Sequence, residues 1–72
     1  MNAITKRRLT TRSATNENGQ EIVMYSYTTT EDNISLRTKS YEFYINGEFD
    51  KEITDSDPLD WFDYWETLML DR

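Results

Sequence analysis

Two Asn-Gly pairs, Asn18-Gly19 and Asn46-Gly47, each lie between segments rich in Thr, Tyr, Ile or Phe, and they constrain the fold more than any other feature of the chain. Asn and Gly tolerate the positive φ angles of a tight hairpin turn, and the flanking residue types favour strands. Two hairpins are therefore expected. The first strand is expected from Ala3 to Ala14 and the second from Glu21 to Thr30. On the second strand Val23, Tyr25 and Tyr27 form the bulkier face and are expected to point to the core, with Ile22 and Met24 as the competing set opposite.

Glu31-Asp32-Asn33 reads as a turn into a third strand, Ile34 to Ile45, on which Tyr41, Phe43 and Ile45 alternate with Glu42 and Tyr44. The fourth strand is short. A two-residue turn at Asn46-Gly47 pairs Phe49 with Tyr44, whereas a three-residue loop pairs Phe49 with Ile45 and gathers the apolar residues on one face. Burial favours the longer loop.

Ser56-Asp57-Pro58 marks a helix start: Asp57 is a capping residue, and Pro58 suits the first helical position because its missing N–H has no intrahelical partner there. From there to about Leu70, Trp61, Phe62, Tyr64, Trp65, Leu68 and Met69 share one side of a helix, and Asp60, Asp63, Glu66, Thr67 and Asp71 the other. The apolar side needs a surface to cover. The expected fold class is α+β: a four-stranded antiparallel sheet of two hairpins packed against one C-terminal amphipathic helix, ββββα, as a single domain over residues 1–72.

At 72 residues such a domain buries only about 60% of its unfolded surface, so the ten aromatic side chains must supply much of its core. There is no cysteine, which removes disulfides and thiolate metal sites and points to a reducing, cytoplasmic setting. The basic start at Lys6, Arg7 and Arg8 is followed by no apolar run, and no window approaches a membrane span, so a soluble intracellular protein is expected. In that setting the sequon Asn33-Ile34-Ser35 is a chance match.

Lack of His and Cys removes the usual general base, nucleophilic thiol and imidazole ligand, and a chain this short has little room for a closed pocket. A non-enzymatic protein without cofactor is expected. The acidic run from Asp50 to Asp57 fails as a calcium loop: counted from Asp50, the sixth position is Asp55 rather than Gly and the twelfth is Trp61 rather than Glu. No metal is expected.

Charge is divided unevenly along the chain. Residues 1–40 carry six bases against four acids, residues 41–72 ten acids against two bases, for an overall net charge of −6. On the helix Asp60, Asp63 and Glu66 recur three apart, and the positions four residues on, Tyr64, Thr67 and Leu70, offer no cation. With Glu48, Asp50, Glu52, Asp55 and Asp57 leading in, and Leu59 and Leu70 beside them, the expected partner-binding set meets a protein with a basic surface. Such a face can also imitate the phosphate array of nucleic acid. In size, charge and aromatic content the chain looks similar to the broad class of small acidic inhibitors encoded by phages.

A rival reading uses Lys6, Arg7, Arg8 and Arg12 with Tyr25 or Tyr27 as a basic sheet surface for nucleic acid. The acidic half opposes it. A third reading is a homodimeric structural subunit joined through a sheet edge or an uncovered aromatic face.

Overall fold

In the computed structural model, residues 4–31 and 37–70 are described. They form four strands and a helix: β1 (Ile4–Thr15), β2 (Glu21–Glu31), β3 (Arg37–Ile45), β4 (Glu48–Thr54) and α1 (Trp61–Leu70). The strands make one antiparallel sheet in the order β1-β2-β3-β4, and α1 covers one of its faces. The two-hairpin, one-helix α+β architecture is thus present. Ala3 and the expected third-strand start at Ile34, with the turn from Asp32 on, lie outside the described residues.

The first hairpin closes through a three-residue loop rather than across Asn18-Gly19 alone. Asn16 N–H donates to Gln20 O at 2.9 Å, Gly19 N–H donates to Asn16 O at 3.0 Å, and Gly19 adopts φ 80°, the arrangement of a tight turn followed by a left-handed glycine. The second hairpin uses a two-residue turn. Asn46 (φ 52°) and Gly47 (φ 83°) are both left-handed, and Ile45 pairs with Glu48 and Tyr44 with Phe49. This corrects the expected three-residue loop: the Asn-Gly pair can satisfy both positive φ values of the tighter turn, and Asn46 Oδ1 accepts the Glu21 N–H at 2.9 Å, tying the turn to β2.

The apolar bookkeeping that favoured the longer loop is instead met by a bulge. Tyr44 opposes Phe49 but Phe43 opposes Lys51, so Asp50 is the extra residue on β4. An unbroken register from Tyr44–Phe49 would set Ile53 opposite Ser40, on the face away from the helix. The bulge shifts the phase by one residue, sets Ile53 opposite Tyr41, and leaves it 1% exposed.

The core is Ile22, Met24, Phe43, Ile53 and Trp65, with Ala14, Tyr41, Ile45, Trp61, Tyr64, Leu68 and Met69 packed around it. The expected inward face of β2 is therefore reversed: Ile22, Met24 and Ser26 are buried, and Val23, Tyr25 and Tyr27 lie on the open face. Ile22 and Met24 have no polar atom to satisfy, while a tyrosine hydroxyl on the open face can still reach water. Burying Phe43 alone contributes about 1.5–3 kcal/mol.

The helix begins later than expected. Asp57 does not cap it: its carboxylate accepts the Thr54 N–H at 2.7 Å and the Thr54 hydroxyl at 3.1 Å, closing a turn at the end of β4. The carbonyl of Asp60 accepts the first helical bond, from Tyr64 N–H at 3.1 Å, and Pro58 sits in the bend before it. At the other end Asn16 joins loop to helix. It is 6% exposed, its Nδ2 donates to Leu68 O at 3.0 Å and Gln20 Oε1 at 2.8 Å, and its Oδ1 accepts from Asn18 N–H at 3.0 Å and Gln20 N–H at 2.8 Å. Glu17 N–H adds a longer bond to Met69 O at 3.4 Å. Two of the four carbonyls that every α-helix leaves open at its end thereby find partners.

Candidate interaction surfaces

The acidic residues of the second half do not form one continuous array. Asp60, Asp63 and Glu66 stand exposed on and just before α1, on the side away from the sheet. Asp55 and Asp57 precede them in the β4–α1 connection, but both have internal work. Asp55 Oδ2 accepts Lys39 N–H at 3.1 Å and its own N–H donates to Lys39 O at 3.2 Å, holding the connection to β3. Asp57 is held below the usual carboxylate range by its bonds from Thr54, backbone first.

Asp50 accepts a hydrogen bond from the Tyr64 hydroxyl, fastening the bulge to the helix. Burial and that bond push the Tyr64 phenol up to about 12. Glu48 is exposed beside the second turn, and Glu52 lies opposite Glu42 on the open face. The eight acids therefore divide between the helix exterior, the connection, the β4 edge and the open face.

Asp55, Asp57 and Asp60 meet around a recess of about 220 Å³ that is also lined by Tyr41 and Trp61, whose rings stack at 5.3 Å and 22°. Tyr41 is shifted upward, first by burial and then by the fields of Asp55 and Asp60. Among the described residues the one ion pair is Lys6–Glu42 at 2.9 Å, so no described cation answers the helix carboxylates. None of the acids groups as a metal-ligand cluster among the described residues.

The basic residues of β1 are divided by a second bulge. Arg8 opposes Tyr27 but Thr10 opposes Ser26, leaving Leu9 as the extra residue. Lys6 and Arg8 consequently lie on the open face, while Arg7 and Arg12 lie on the helix side, Arg7 opposite Thr28 and Arg12 over the ring of Trp65 at 5.1 Å. The basic surface expected from Lys6, Arg7, Arg8 and Arg12 is thus two separate pairs.

The open face was legible from sequence only in part: Lys6, Arg8, Tyr25 and Tyr27 belong to the expected basic sheet surface and meet here, whereas Tyr44 and Phe49 were not part of it. Its aromatic band runs from Tyr27 through Tyr25 and Tyr44 to Phe49, with ring centroids 5.4 Å apart for Tyr25–Tyr44 and 5.6 Å for Tyr44–Phe49. Arg8 lies over Tyr25 at 4.2 Å and donates to the Tyr27 hydroxyl at 3.2 Å, and Lys6 lies over Tyr27 at 4.4 Å. Glu42 accepts from both Lys6 and, at 3.1 Å, the Tyr44 hydroxyl. The Lys6 ammonium is held above its ordinary range chiefly by Glu42, with Glu52 adding its field. The available signal was chemical: alternate positions 23, 25 and 27 pair a hydroxyl with each of two rings, while positions 22 and 24 carry none.

Compared with family models, curated proteins and solved structures, the chain matches none. No described helix is long and apolar enough to cross a membrane.

Proposed function

We propose that this chain is a non-enzymatic protein-binding module whose contact surface is the acidic exterior of α1 together with the connection before it. The observation that carries the reading is the exposed row Asp60, Asp63 and Glu66, unanswered by any described cation and continuous with the Tyr41–Trp61 recess. Like-charged neighbours on one helix side cost a few tenths of a kcal/mol per pair, typically up to about 0.5, and serve a partner with a basic surface. Steered by opposite charge, that partner associates faster than a neutral one. A Lys or Arg side chain in the recess would find aromatic faces and carboxylates together. The function is that of an acidic inhibitor or adaptor, and the row can stand in for a run of phosphates.

The test is capture from nuclease-treated lysate by wild type and by the combined Asp60→Lys, Asp63→Lys, Glu66→Lys variant, both checked by circular dichroism. A specific protein held by wild type, released as salt rises and lost in the variant is the expected result. Equal capture by both would sink the reading. Loss of activity on Arg7→Glu, Arg8→Glu and Arg12→Glu, with the helix reversal silent, would favour nucleic acid instead.

A further inference from the structure

Among the described residues no element covers the sheet face opposite α1, yet that face carries the aromatic band described above. Phe49 is 59% exposed there and, unlike a lone surface ring, continues a row of three half-buried tyrosines. A contiguous aromatic surface that stays partly exposed marks an interaction site.

Charge on this face differs from the rest of the chain. The net charge of the protein is −6, but across the middle of the open face Lys6 and Arg8 on β1 balance Glu42 on β3 and Glu52 on β4. Glu21 and Glu31 stand at the two ends of β2, outside these central rows. The balance is directional: positive at the β1 edge, negative toward β4. Registers fix the rows. Arg8, Tyr27, Ser40 and Thr54 form one row across the sheet, and Thr11, Tyr25, Glu42 and Glu52 the next.

We infer that the open face is covered by the same face of a second copy, in a two-fold dimer whose axis runs along the strands between β2 and β3. That operation lays β1 of one copy over β4 of the other, twice by symmetry, as a closed isologous interface requires. Arg8 then lies within one side-chain row of the partner copy's Glu52, and the tyrosines of β2 and β3 fill the centre. The strands of the two sheets remain near-aligned, the usual sandwich geometry. Two chains of charge −6 are joined through a face whose central charges cancel, and their acidic helices point away from each other.

Size sets the strength. Four strands about 4.8 Å apart and four rows about 6.8 Å apart give a face of roughly 20 by 25 Å. The contact is therefore on the order of 500 Å² per copy and 1,000 Å² in total, at the low end of specific interfaces, so a dimer in the micromolar range is expected.

Sedimentation equilibrium of the purified chain from about 1 μM to about 1 mM tests this, spanning that range. Wild type should pass from monomer to dimer, Phe49→Asp and Arg8→Glu should remain monomeric while folded by circular dichroism, and Arg8→Glu with Glu52→Arg should regain the dimer to within about tenfold of wild-type affinity. Within one copy β1 and β4 are the two outer strands, so that rescue reports a contact between copies. A wild type that stays monomeric throughout overturns the inference. So does association that survives Phe49→Asp, which would place it at a sheet edge, or a charge swap that restores nothing. The combined helix reversal lies on the opposite side and takes the net charge from −6 to 0, so it leaves this contact in place and should not weaken the dimer.

Discussion

Replacing Asn16 tests whether the first hairpin loop and the end of the helix are stabilised by one side chain. Asn16→Ala removes four hydrogen bonds: donations to Leu68 O and Gln20 Oε1, and acceptance from Asn18 N–H and Gln20 N–H. The Gln20 side chain can turn to water, so three bonds count fully. At about 0.5–1.5 kcal/mol net for each, the loss is about 1.5–4.5 kcal/mol. For 72 residues a total stability of about 4–11 kcal/mol is typical, so the change removes a large fraction of it and lowers Tm by roughly 6–36 °C. Urea unfolding followed by the fluorescence of buried Trp65 gives the free energy directly. A loss below about 0.5 kcal/mol would refute the reasoning, because water would then be replacing the side chain at little cost. Asn16→Asp sharpens the test. It keeps both acceptor bonds but cannot donate to Leu68 O while ionised, and it sets a carboxylate against the negative end of α1. The two accepted backbone bonds favour its carboxylate while the helix end and Leu68 O disfavour it, so its deficit should differ from that of Asn16→Ala and change with pH across the carboxylate range. A pH-independent deficit equal to that of Asn16→Ala would contradict this placement.

Deleting Asp50 removes the bulge yet keeps Lys51 opposite Phe43 and Ile53 opposite Tyr41, so it should cost little more than Asp50→Ala, which loses the Tyr64 bond at about 1–3 kcal/mol; a deletion that unfolds the domain in a urea titration where Asp50→Ala does not would refute the phase argument. With its phenol at about 12 against about 10 unfolded, Tyr64 contributes stability that is intact below pH 10 and lost as pH rises toward 12. Alkaline unfolding that is unchanged in Tyr64→Phe would count against that bond. Gly47→Ala places a side chain at φ 83° and should cost about 1–2 kcal/mol through backbone strain, although open space surrounds the added methyl; an unchanged midpoint in thermal unfolding would argue against the two-residue turn.

The sequence by itself determined the elements and their order. Asn18-Gly19 and Asn46-Gly47 place hairpin turns because positive φ is a property of those residues, and the spacing of Trp61, Tyr64, Trp65, Leu68 and Met69 defines a helix with one apolar side because helical period is local. The acids of the helix exterior were legible for the same reason. The tertiary structure decided which side of each strand faces inward. A period of two states that Ile22 and Met24 oppose Val23 and Tyr25, but only the position of α1 makes the first pair the core. It also decided the two bulges, at Leu9 and Asp50, that divide the basic residues between faces and bring Ile53 inward. It reassigned Asp57 from the helix to Thr54, and gave Asn16 to the helix end 52 residues away. Each of these depends on a partner distant in the chain, and a residue's own propensity carries no record of the surface it will meet.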